Sequence, residues 1–97
     1  MPSYVALMNW TDQGIKNFKD SVNRAEAAQA AFAQAGLAFK SLYWTVGQYD
    51  LIAIVDAPNG EALAAALLQL GAQGNLRSTT LRAFTADEMK GIIAKAG

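Results

Sequence analysis

The chain has 97 residues, enough for one small domain spanning 1–97, which excludes a catalytic unit with a separate regulatory domain. Hydrophobic residues make up 53% and charged residues only 16%, too apolar for a disordered chain and sparing in polar surface, so self-association is expected. Eight Lys and Arg balance eight Asp and Glu, which argues against nucleic acid or an anionic membrane surface as a partner.

With no Cys and no His, disulfides, thiolate or imidazole metal sites, Ser-His or Cys-His nucleophiles and a His-ligated haem are excluded. Chemistry would have to run on carboxylates, Tyr, Lys, Arg and backbone, and no cofactor is expected. Met1-Pro2-Ser3 lacks a basic leader, and the apolar runs Leu51 to Val55 and Ala62 to Leu68 are too short to span a bilayer. A soluble, cytoplasmic location is the expectation.

Tyr4 to Trp10 is compact and rich in aromatic and branched residues, and reads as a strand. Thr11 and Asp12 offer N-cap chemistry. From Ile15 an apolar stripe through Phe18, Val22, Ala25, Ala28, Phe32 and Ala35 predicts one long amphipathic helix closed by Gly36. Leu37 to Val46 and Asp50 to Ala57 read as strands joined by a hairpin at Gly47-Gln48. Pro58-Asn59-Gly60 breaks the chain before a second helix, Glu61 to Leu70, which closes near Gly71. Leu76 to Phe84 is a fourth strand, and Thr85 with Glu88 forms a capping box opening a short helix with Met89, Ile92 and Ile93.

The order βαββαβ plus a C-terminal helix predicts an α+β, ferredoxin-like fold, with an antiparallel sheet of order 4-1-3-2 and both long helices on one face. Hairpin parity puts Phe39, Ser41, Tyr43, Thr45, Asp50, Ile52, Ile54 and Asp56 on the open face. Leu42, Trp44, Val46, Leu51, Ala53 and Val55 fall on the helix side. In the first strand Val5 and Leu7 are assigned to the helix side, leaving Tyr4, Ala6, Met8 and Trp10 open. Four strands about 4.8 Å apart and roughly 20 Å long give about 400 Å² of open face, in the range that marks an interface. The expectation is a homodimer whose sheets pack face to face as a dimeric α+β barrel around a cavity.

The hairpin Thr45-Val46-Gly47-Gln48-Tyr49-Asp50-Leu51, the opening Tyr4 to Gly14 and the tract Gly74 to Phe84 together resemble the GYD-domain family, named for its Gly-x-Tyr-Asp element. The resemblance covers essentially the whole chain. It implies a small dimeric α+β barrel protein, and the family carries no agreed activity.

A ligand site in the barrel would draw on Met8, Trp10, Phe39, Tyr43, Thr45, Asp50 and Arg82, and would suit a small aromatic or anionic molecule. The fourth strand, taken as antiparallel to the first and third alike, brings Arg82 to the Asp50 end, where the two would pair. Arg77 and Arg82 differ in parity, so only one of them can face the cavity. Three readings stay open. One is a homo-oligomeric small-molecule-binding domain. Another is a cofactor-independent monooxygenase or isomerase using Asp50, Tyr43 and Arg82 as acid/base and oxyanion groups. The third is an ACT-like regulatory module or scaffold whose work is assembly. RNA recognition is excluded, because Asp50 to Ala57 offers no stacking aromatic.

Overall fold

The structure is a computed structural model describing residues Met1–Gly97. It comprises β1 (Ser3–Trp10), α1 (Asp12–Lys16), a 3-10 turn (Phe18–Asp20), α2 (Ser21–Gln34), β2 (Ala38–Trp44), β3 (Leu51–Asp56), α3 (Gly60–Ala72), β4 (Leu76–Ala83) and α4 (Ala86–Ala96). The four strands form one antiparallel sheet of order β2-β3-β1-β4, the expected arrangement. The core is the layer where Leu51, Ala53 and Val55 of β3 and Ala6 and Met8 of β1 meet Phe32 of α2 and Leu63 of α3.

Capping follows the local sequence. The Thr11 hydroxyl accepts the Gly14 N–H at 3.1 Å, Asn59 Oδ1 accepts the Ala62 N–H at 2.8 Å, and Thr85 and Glu88 satisfy each other's backbone N–H groups. Gly36, past the end of α2, adopts φ +85°, the left-handed conformation a Cβ would oppose.

The first helix differs from expectation. The continuous helix breaks at Asn17 into α1 and α2, and Ile15, Phe18 and Val22 are exposed instead of joining the core. The break is held in place by its neighbours. The Arg24 guanidinium donates to the Asn17 carbonyl at 2.7 Å and the Gly14 carbonyl at 3.2 Å. The Thr11 N–H reaches the Asn75 carbonyl at 3.0 Å, and its hydroxyl reaches the Gly74 carbonyl at 2.5 Å. These contacts tie α1 to the loop before β4, which a straight helix continuing into α2 would leave.

The faces of the sheet also need correction. In β1, Tyr4, Ala6 and Met8 lie opposite Val55, Ala53 and Leu51, so with Trp10 they face the helices, while Val5, Leu7 and Asn9 face the open side. The expected parity of this strand is reversed. In β2 the pairing jumps from Phe39↔Val55 to Ser41↔Ile54, so Lys40 is the extra residue of a bulge. One inserted residue returns Phe39 to the helix side, where its ring lies 5.0 Å from that of Phe32. Ser41 and Tyr43 keep the open face. Val46 leaves the sheet altogether and stands fully exposed in the hairpin loop.

Candidate functional site

The open face has an apolar centre. Tyr43, Ile52, Leu7 and Thr79 form one row across the strands, and Ser41, Ile54, Val5 and Leu81 form the next. Tyr43 remains 63% exposed and Leu81 50% exposed, so no part of the chain itself covers this surface.

Polar groups close both ends of that face. At the hairpin end the Asp50 carboxylate accepts the Trp10 backbone N–H at 2.9 Å. The Asn9 amide donates to the Gln48 carbonyl at 2.7 Å, and the Thr45 hydroxyl donates to the Tyr49 carbonyl at 2.6 Å. The backbone bond from Thr45 N–H to the Asp50 carbonyl, 2.8 Å, fixes the register around the loop. At the opposite end the Ser3 hydroxyl donates to Asp56 at 2.6 Å, and the Lys40 ammonium lies 3.6 Å from the same carboxylate. The Ser3 hydrogen bond, with help from the Lys40 charge, outweighs partial burial and holds the Asp56 carboxyl below its ordinary pKa.

Arg82 is not at the Asp50 end. β1 is antiparallel to both β3 and β4, so β3 and β4 run parallel, and Arg82 lies opposite Tyr4. Asp50 holds the amide of Trp10, six residues further along β1 and so about 20 Å away. The expected Asp50 to Arg82 pair does not form. The Arg82 guanidinium instead lies 4.3 Å from the Phe84 ring and 5.6 Å from the Tyr4 ring, donates to the Ser3 carbonyl at 3.1 Å, and approaches Glu88 at 3.7 Å. Glu88 is held below its ordinary pKa chiefly by the Thr85 backbone N–H, with Arg82 assisting. Arg77 has the open-face parity, opposite Asn9, but its guanidinium curls around the sheet edge to lie over Gly71 of α3.

Met8, Trp10 and Phe39 come together on the other side of the sheet. With Leu42, Leu51 and Leu70 they floor a narrow cleft between α2 and α3, its mouth formed by Arg24, Gln73 and Asn75. Its free volume, about 30 Å³, suits a water or two rather than a ligand. Of the expected site residues, then, Tyr43, Thr45 and Asp50 share the open face. Met8, Trp10 and Phe39 pack beneath the helices, and Arg82 lies at the far end. The acid/base trio Asp50, Tyr43 and Arg82 is not brought together within one chain. No three carboxylates gather in one place to hold a metal, and no helix is long and apolar enough to cross a membrane.

Sequence reasoning placed Asp56 on the open face but missed its partners Ser3 and Lys40, and it missed the hold of Asn9 on the hairpin. The only sequence signal for the Asp56 partners was a lysine that strict alternation would bury.

Comparison with known proteins bears on this geometry. The model of the GYD domain matches residues 4–93. A Thermus thermophilus protein named glutamine synthetase and cystathionine beta-lyase binding protein is 28% identical over 85 residues, covering 87% of this chain and 90% of that protein. A crystal structure from Thermus thermophilus superposes with a TM-score of 0.57 at 26% identity, over 89% of this chain and 96% of the other. The feast or famine regulatory protein of M. tuberculosis, solved with L-methionine, gives a TM-score of 0.66 at 16% identity, over 89% of this chain and 52% of that one. The leucine response regulatory protein of Mycobacterium tuberculosis gives 0.59 at 19%, over 89% and 54%. The chain thus spans about half the length of the two mycobacterial regulators and shares their fold.

Proposed function

The chain belongs to the GYD-domain family, and we propose on that premise that it is a cytoplasmic, non-enzymatic binding module that works as a homodimer. Two copies pack their open faces together, forming a dimeric α+β barrel. The observation that carries this reading is the arrangement of that face: an apolar centre of Val5, Leu7, Ile52, Ile54 and Leu81 between two polar ends. An apolar centre with a polar rim is the anatomy of a protein interface.

Between the two sheets, Tyr43 and Thr45 of each copy are the side chains that meet a small ligand, aromatic or polar, held in the shared chamber. An effector held between subunits is also what an ACT-like module would carry. The monooxygenase or isomerase reading loses its support, because its three groups are split between two ends and two faces of the sheet. The name of the Thermus relative, a protein that binds two enzymes, supports a role in assembly over turnover. Ile15, Phe18 and Val22, exposed on either side of the break between α1 and α2, offer an outer apolar surface for such a protein partner.

Sedimentation equilibrium at micromolar concentration tests the reading. The expected mass is twice the 10.3 kDa of the chain, falling to the single-chain value in Ile52→Asp with its circular dichroism unchanged. A solitary wild-type chain would overturn it.

A further inference from the structure

Met89, Ile92, Ile93 and Ala96 fall at i, i+3, i+4 and i+7, one continuous stripe along α4, with Asp87, Lys90 and Lys95 elsewhere on the helix. That stripe is largely uncovered: Ile93 is 60% exposed, Met89 is exposed, Ile92 is half-buried, and no residue of α4 is fully buried. The helix projects from the body and is part of the chain's longest extent, 50 Å against 30 and 18 Å along the other axes. Arg82 holds it there. By reaching Glu88 in the first turn of α4, the Phe84 ring before it and the Ser3 carbonyl in β1, this side chain ties the root of the helix to the end of the sheet.

The same chain carries an open groove of about 400 Å³ between α3 and β4. Leu67, Leu68, Leu70 and Leu76 supply its apolar part, with Arg77 and Thr80 along the β4 side, and Leu68 is 75% exposed. Its volume falls within the range of small-molecule pockets, about 300–1,000 Å³, but its polar side chains, Arg77, Ser78 and Thr80, all lie along β4 and leave the α3 wall wholly aliphatic. An aliphatic trough is what receives an amphipathic helix through residues spaced i, i+3, i+4 and i+7.

We infer that α4 of one copy seats its Met89, Ile92 and Ile93 stripe in the α3–β4 groove of a second copy, and receives that copy's α4 in return. The inference rests on the homodimer proposed above. Two sheets facing each other about a two-fold axis perpendicular to their strands set the end of β4 beside the start of the partner's β4. The groove runs along that part of β4, from Leu76 to Thr80. The areas agree. The sheet face contributes about 400 Å², half of the roughly 800 Å² per partner that a stable interface buries. One helix of eleven residues, about 16 Å long and 10 Å wide, adds about 160 Å² when given and the same when received. Exchange also leaves no arm and no groove unfilled, so the assembly closes at two.

Because the chain contains no Cys, a single pair of thiols reports the contact. The double variant Leu68→Cys, Ile93→Cys, treated at micromolar concentration with a short bismaleimide, is expected to give a covalent pair of twice the chain mass. A cross-link within one chain, detected as a doubly attached reagent at the single-chain mass, would overturn the exchange in favour of an arm folded back on its own groove. Absence of any cross-link while the uncross-linked protein still sediments as a dimer would overturn the exchange and leave the sheet interface standing. A single-chain mass for the wild type would overturn both. Ile93→Asp, at a position exposed in the isolated chain, is expected to weaken the dimer at least tenfold. An unchanged dissociation constant would count against the exchange.

Discussion

The Asp50 carboxylate receives the backbone N–H of Trp10 at 2.9 Å, joining the β2–β3 hairpin to the last residue of β1. This hydrogen bond gives the aspartate of the Gly-x-Tyr-Asp element a positional role, since the amide it holds stands where β1 ends and α1 begins. Replacing Asp50 with Ala leaves that amide without its partner. The expected cost is about 1.5–3 kcal/mol, the usual range for a hydrogen bond to a charged group, with Asp50→Asn losing less because the amide oxygen still accepts. Urea unfolding of both variants, followed through the Trp10 and Trp44 indoles, checks the order. Equal stability of Asp50→Ala and wild type would remove this role.

Gly14 is required for a steric reason. A Cβ there would stand 2.1 Å from the Asn75 carbonyl oxygen, a backbone atom that cannot swing aside. Gly14→Ala is expected to lose about 2–3 kcal/mol as α1 is pushed from the loop before β4. Gly91, with open space around it in the interior of α4, provides the contrast: Gly91→Ala should gain about 0.5–1 kcal/mol in helix stability. Thermal melts of the two variants should therefore shift in opposite directions.

Phe39 distinguishes a chamber residue from a core residue. Its ring meets Phe32 beneath the sheet, so Phe39→Ala is expected to cost about 3 kcal/mol. A side chain lining an open chamber would leave stability nearly unchanged. Tyr43→Ala, on the open face, is expected to do just that in the isolated chain while weakening dimerisation. Unfolding and sedimentation measured together separate the two positions.

Acid should destabilise the fold through Asp56 and Glu88, whose pKa values in the folded chain lie below their ordinary values of 3.8 and 4.5. A depressed carboxyl contributes stability that is complete above its unfolded pKa and is lost as pH falls through the lower folded one. The urea midpoint should thus decline below about pH 4. Ser3→Ala removes the largest cause at Asp56 and should flatten that decline more than Lys40→Ala. An acid profile unchanged by Ser3→Ala would contradict the assignment.

Element order, caps and sheet order were legible because each has a local chemical signature, as in the Thr85 and Glu88 capping box or the glycines that follow helices. The face of β1 was not. Tyr4, Ala6, Met8 and Trp10 are as apolar as Val5 and Leu7, so alternation carries no polarity, and only pairing with β3 decides the parity. The bulge did leave a trace: strict alternation from Leu42 and Trp44 back along β2 would place Lys40 against the helices, a charge with no partner there. Arg82 was misplaced by strand direction alone. Each crossover helix returns the chain parallel to the strand it left, so β3 and β4 run alike and Asp50 and Arg82 start and finish at opposite ends.

The bulge has a further effect on the borders of the sheet. β2 presents an interrupted ladder with a lysine planted on it, which resists the addition of a foreign strand. Only the β4 border keeps a regular ladder. Endless stacking of sheets side by side requires two receptive borders on every molecule, so a chain with one disabled border cannot propagate a fibre in that way.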